Sequence, residues 1–364
     1  MSLDVQQVQG EQLTDLTPYI AKAKESLYFS GAKIDAHLRA FLHDQGDACV
    51  RLGESPPNAP SHLYLIGSGG SLAAMQVAKY VLDGLVAMPI DTMTSYELVW
   101  RAPALLDAHA LAFFASYSGE TEDTLAALRF AKERGAATVA IVGRRESTMA
   151  READVVIPYS SGAIFEVPIA ALIHVACGLA EGTPSASAAQ RLRDGLSQLP
   201  DVLRHVMQRE EGLAEERARD LLRTQHLYVL GAGPLGPLAY KLAMSVVMEN
   251  VRIGATYSDA VEWRHGPVEA LERMRADVLV LLGTDASRGV TERTVEFCRA
   301  QGCHVTIYDA SEYGDVHPLL TPLVMNSQTQ WLVVYWAILR GITDLDERVF
   351  MGHNVLAAGG AQWP

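Results

Sequence analysis

The stretch "HLYLIGSGGS", residues 62–71, sets a short apolar run against a glycine turn. It returns as "HLYVLGAGP" at residues 226–234, 164 positions later. A second pair of segments repeats at an offset of 167, with Thr124 matching Thr291, Phe130 matching Phe297 and Gly135 matching Gly302. Two copies of one α/β unit explain this. Further strand-like runs occur at "ALAFFAS", "ATVAIVG" and "DVVIPY", with helix-length segments between them. Strands alternating with helices predict parallel sheets covered by helices on both faces. Apolar spacing predicts helix from residue 11 to about 50, through Leu13, Leu16, Ile20 and Leu27 and on to Leu42. The breaker-rich "GESPPNAPS" closes that segment. The division expected is an N-terminal helical segment (1–55), a first α/β domain (56–184), a helical connector (185–224), a second α/β domain (225–345) and a C-terminal tail (346–364).

Composition narrows the function classes. Hydrophobic residues make up 49% of the 364, enough for sizeable cores. A formal net charge of -13 argues against nucleic acid as a partner, since phosphate-backbone binding needs a basic surface. The four cysteines are scattered and form no C-x-x-C pair, so neither a metal site nor a disulfide framework is expected. The N-terminus lacks the apolar core of a signal peptide, and no apolar run is long enough to span a membrane. A cytoplasmic protein without membrane contact is expected.

"ASYSGETEDT" (115–124) follows an apolar run and carries Ser116, Ser118 and Thr121 around Gly119. These hydroxyls suit two roles: capping a helix, or joining its free N–H groups in a cup for an anion. The glycine turn at Gly70 and Ser71 ends another strand. Ligands of open α/β sheets bind at such carboxyl ends. No lysine follows the glycines, so the turn is not a nucleotide P-loop. In the second copy the matching positions hold Gly283, Asp285 and Arg288. A hydroxyl set present in one copy alone points to a single anion site, formed by Gly70, Ser71, Ser116, Tyr117, Ser118 and Thr121. "GAGPLG" fits G-x-G-x-x-G at Gly231, Gly233 and Gly236, but no acid is expected at the end of a following strand, because "MENVRIGATY" reads as helix and then turn. No cofactor is expected.

"GSGGS" with "SYSGETEDT" on a duplicated α/β unit resembles the SIS (sugar isomerase) phosphosugar-binding domains. The resemblance implies two tandem SIS domains, each a flavodoxin-like three-layer sandwich. It extends to the isomerase half of glucosamine-6-phosphate synthase and to the deglycases of fructosamine-type 6-phosphates. In the second half, "MEN" and "EWRHGPVE" are similar to the Glu…His-Gly-Pro arrangement of both enzyme types. The resemblance makes Glu249 the general base and His265 the group that assists ring opening from a neighbouring subunit, so a homodimer or larger assembly is implied. It gives Glu262 a supporting role. The chemistry agrees with the residue types: proton transfer between C1 and C2 needs a tuned carboxylate, and ring opening needs a group titrating near neutrality. "SSGAIFEVP" places Ser160 and Ser161 near another strand end, as lesser candidates for the sugar pocket.

Departures from the family choose the subtype. No glutaminase segment precedes the first unit, which argues against glutamine-dependent amination. Leu242 and Val246 stand where the synthase carries charged residues, and Lys241 is expected on another face of the helix. The position of the family's tail lysine falls at His353, or at Gly352 if the alignment shifts by one, and His353 is taken as a third catalytic candidate. What results is a phosphosugar enzyme, read first as a deglycase and alternatively as an aldose–ketose isomerase or an amino-sugar phosphate deaminase. A non-catalytic phosphosugar sensor is the competing class.

Overall fold

In a computed structural model the structure describes residues 15–26, 29 and 31–347. The N-terminal segment is two helices, α1 (Thr17–Ala23) and α2 (Ile34–Glu54), where one continuous helix was expected. Pro18 in the first turn of α1 fixes its start, and the short turn Gly31–Lys33 leads into α2. The apolar spacing had been read across this break; Leu13 and Leu27 lie outside the described residues.

Strands β1 (His62–Gly67), β2 (Ile90–Thr94), β3 (Ala110–Ser116), β4 (Ala137–Val142) and β5 (Val155–Pro158) form a parallel sheet in the order β2-β1-β3-β4-β5. Strands β6 (His226–Gly231), β7 (Gly254–Asp259), β8 (Asp277–Leu282) and β9 (His304–Asp309) form a second parallel sheet in the order β7-β6-β8-β9. The first four strands of each sheet therefore share one order. Every position of β1 and β3 is buried, as expected for a sheet covered on both faces. β2 and β7 were not foreseen. "IDTMT" and "GATYSD" mix polar residues into short runs, and only one residue of β7 is fully buried, so hydrophobic periodicity gives no signal.

Helices α3 (Gly70–Leu82), α4 (Ser95–Arg101), α5 (Glu122–Glu133), α6 (Thr148–Glu152) and α7 (Glu166–Leu179) follow through the first half. α8 (Ala186–Glu211) and α9 (Ala214–Asp220) lead to the second. There α10 (Gly236–Lys241) runs into a wide π-helical segment, Leu242–Val251, and α11 (Arg288–Ala300) and α12 (Thr321–Leu339) complete the chain. α2 and α7 cross with their backbones in contact. A Cβ added at Gly53 would lie 2.1 Å from the carbonyl oxygen of Val175, and one at Gly178 would lie 2.1 Å from that of Val50. One apolar core joins both halves, running from Leu63 and Phe113 through Leu227 and Leu279 to Trp331. α12 is buried around almost its whole circumference.

Candidate functional site

The order β2-β1-β3 reverses direction between β1 and β3, and both hydroxyl-rich turns lie at the carboxyl ends of those two strands. After β1 the chain turns at Gly69, whose φ of 55° is a conformation that glycine adopts without strain. α3 then starts at Gly70 and presents its free N–H groups. After β3, Thr121 is the N-cap of α5 but makes no capping hydrogen bond with its side chain. Its hydroxyl lies 2.8 Å from that of Ser116. Ser118 completes the cluster at 3.4 Å from Thr121 and 3.5 Å from Ser116. Gly119 N–H donates to Ser116 Oγ and Glu120 N–H to Ser118 Oγ, which fixes both side chains. Ser68 ties the two turns together by donating to Asp123 Oδ2 at 2.5 Å.

A cleft of about 210 Å³ opens where the halves meet. From the first half it is lined by Ser68, Gly70, Ser71, Tyr117, Phe165 and Glu166, and from the second by Lys241, Leu242, Ser245, Val246, Glu249, Asn326 and Gln330. The structure thus brings Gly70, Ser71, Tyr117 and Glu249 together. Ser116, Ser118 and Thr121 gather at the end of β3 but do not line this cleft.

Lys241 is a correction to the sequence reading. It was placed on another face from Glu249, and both line the cleft. The segment carrying Glu249 winds with wide turns, Arg252 N–H donating to the carbonyl of Val247 five residues back, so the angles of an ordinary α-helix do not apply. Lys241 Nζ donates to Asn326 Oδ1 at 2.7 Å and stands 4.9 Å from the centre of the Phe165 ring. Asn326 in turn donates from Nδ2 to Glu166 Oε1 at 2.7 Å. Glu166 is fully buried, and burial pushes its carboxyl up despite the nearby ammonium. Burial also lowers Lys241 to about 8, opposed by the carboxylates of Glu166 and Glu249. Sequence reasoning missed Glu166 and Asn326. Their signal was polar residues set against apolar runs, an acid heading "EVPIAALI" and the polar stretch in "LVMNSQTQW".

The second copy's glycine turn holds no anion cup. A Cβ on Gly233 would sit 2.9 Å from Asp285 Oδ1, so a carboxylate already fills the space. Asp259 ends β7 opposite Gly231, which corrects the expectation that no acid stands there. The two carboxylates make that turn unsuited to phosphate. Arg288 is bound to Asp309 by two hydrogen bonds, at 2.8 and 2.7 Å.

His265 and Glu262 lie together on an exposed turn after β7, outside the cleft, with His265 N–H donating to the carbonyl of Glu262. Buried Trp263 anchors this turn. Ser160 and Ser161 line a separate hollow beside His37 and Tyr159. His353 lies outside the described residues. Among the described residues no cluster of His, Cys, Asp or Glu is arranged to hold a metal, and no helix is long and apolar enough to cross a membrane.

The chain is 28% identical over 291 residues to the fructoselysine 6-phosphate deglycase of Escherichia coli, covering 80% of this chain and 85% of that protein. It is also 28% identical to the fructosamine deglycase of Bacillus subtilis over 305 residues, 81% and 90% of the two chains. Its fold matches the C-terminal domain of glucosamine-fructose-6-phosphate aminotransferase from Francisella tularensis with a TM-score of 0.70, at 20% identity, over 89% of this chain and 96% of that one. Residues 58–177, which hold the whole five-stranded sheet and both hydroxyl-rich turns, match the SIS domain model.

Proposed function

We propose that this protein is a phosphosugar enzyme, and that it acts as a deglycase on ketosamine 6-phosphates. The observation that carries this is the cleft in which Glu249 from one half faces the glycine turn of the other. A 6-phosphate held by the N–H groups of α3 and the hydroxyls after β3 anchors the far end of the sugar. Glu249 removes a proton from C1, and the electron pair moves through C1–C2 to the C2 oxygen, giving an enaminol. Returning a proton to C2 gives an imine between C1 and the amine nitrogen. Water adds at C1, the C1–N bond breaks, and glucose 6-phosphate and a free amine leave. No electrons are exchanged with a cofactor. The deglycase relatives favour an amine at C1 over a hydroxyl.

The test is a panel of ketosamine 6-phosphates, beginning with fructoselysine 6-phosphate, with glucose 6-phosphate followed by a coupled dehydrogenase. Turnover of any ketosamine supports the reading. Interconversion of fructose and glucose 6-phosphates with no ketosamine turnover replaces it with an isomerase.

The exposed position of His265 fits a site completed by a second copy of the chain. Met244 and Met248, 45% and 41% exposed on the helix of Glu249, offer apolar surface for such a contact. Mixing inactive Glu249→Gln and His265→Ala proteins, after subunit exchange, should then restore about a quarter of wild-type activity, since half the dimers carry one intact site. No recovery with proven exchange would place His265 outside the shared site.

A further inference from the structure

We propose that Lys241 is the cation that receives the substrate's carbonyl oxygen while Glu249 removes the neighbouring proton. This rests on the phosphosugar reading above. Moving a proton from C1 drives negative charge onto the C2 oxygen, and that charge needs a donor aimed at it from within a site of low polarity. Among the described residues lining the cleft, Lys241 is the one cation. Leu242 and Val246, on the same wall, supply none.

The position of Lys241 is built. Glu166 holds the amide of Asn326, and the amide oxygen holds Nζ. An ammonium has three donors, and among the described residues Asn326 is its one hydrogen-bond acceptor, so donors remain for a ligand. The ring of Phe165 stands beside the charge and keeps that side dry. A Cβ on Gly70 would come within 3.7 Å of Lys241 Cε, so the lysine stem runs beside the turn assigned to the phosphate. A phosphosugar bound by that turn must lie along it.

The charged and titratable groups facing Lys241 come from three sides. Glu166 opens α7, Glu249 lies on its own helix, and Tyr117 at the end of β3 lines the same cleft, with buried Tyr159 behind it. The two carboxylates favour the ammonium and burial opposes it, leaving Lys241 near 8. The group is therefore protonated at neutral pH, and stabilisation of the oxygen is lost as pH rises through that value. A donor poised near the working pH also loses little in passing its proton to the oxygen.

The experiment is a pH profile of kcat/KM with a ketosamine 6-phosphate for wild type, Lys241→Met and Lys241→Arg, each checked for folding by its melting curve. Wild type should show a basic limb near pH 8. Lys241→Met should lower kcat by about 10²-fold with KM much less affected. Lys241→Arg should keep part of the activity and lose the limb, because guanidinium stays charged. A second measurement compares binding of a sugar-phosphate hydroxamate, which mimics the charged intermediate, with binding of glucitol 6-phosphate. Lys241→Met should weaken the hydroxamate by at least about tenfold more than the polyol. A methionine variant within about threefold of wild type, a limb unchanged in the arginine variant, or equal loss of both ligands overturns the assignment of Lys241 alone. Absence of turnover and of phosphosugar binding in wild type overturns the phosphosugar reading as well.

Discussion

Glu249→Gln should lower kcat by about 10³-fold or more while leaving phosphosugar affinity near that of wild type. The substitution keeps size and hydrogen bonding but removes the lone pair that takes the C1 proton. Glu249 lines the cleft opposite Gly70 and Ser71 and is partly open to it, so a glutamine enters the same space. Thermal stabilisation by glucitol 6-phosphate should persist. The hydroxyl cluster gives the converse. Ser116→Ala removes a hydroxyl within 2.8 Å of Thr121 and the acceptor of Gly119 N–H, so KM should rise by about tenfold with kcat little changed. Full activity in the Gln variant would assign the proton to another group. A Ser116 variant with unchanged KM would move the phosphate to the turn at Gly70 and Ser71 alone.

The largest effect expected on stability is at the crossing of α2 and α7. Gly178→Ala places a methyl 2.1 Å from the carbonyl oxygen of Val50 and 2.6 Å from the amide nitrogen of Glu54, both backbone atoms that cannot rotate away. Glycine to alanine inside a helix ordinarily gains about 1 kcal/mol. Forcing the helices apart costs about 3 kcal/mol or more, so the net change is a clear loss. Gly53→Ala repeats the overlap from the other side and should act similarly. Gly212→Ala is the control: its φ is -75° and an added Cβ meets nothing nearer than 3.6 Å, so its stability should be unchanged or slightly raised. Urea unfolding of the three variants checks the ranking. Gly178→Ala as stable as wild type would mean that the two helices have room to separate.

The sheets were legible in the chain because β1 and β6 are nearly identical strings ending in glycine turns. The hydroxyl-rich turns were legible because small and hydroxylated residues stand in a row there, directly after apolar strand runs. Glu249 stood out as an acid among apolar neighbours. The same logic, applied to the segments around Glu166 and Asn326, points to these two buried polar residues, but neither was singled out in the sequence. Their pairing joins residues 160 positions apart, and no local pattern carries that. Lys241 was misplaced because a wide helical segment was given the angles of a regular one. β7 was passed over because its residues face partly polar surroundings. The turn of His265 follows from its local sequence, yet its distance from the cleft belongs to the tertiary arrangement.

α12 has a consequence for how the molecule is made. It is the last helix of the described chain, and its residues fill the core between α8, α9 and the segment of Glu249 while Asn326 reaches Glu166 in the first half. During synthesis, everything before Thr321 emerges without that filling. The earlier helices therefore keep apolar surface exposed until α12 leaves the ribosome. Both parallel sheets depend on contacts between distant parts of the chain, which form slowly. Nascent chains halted before residue 321 should be sticky intermediates that call on chaperones. Until α12 docks, the cleft lacks the wall that Asn326 and Gln330 supply.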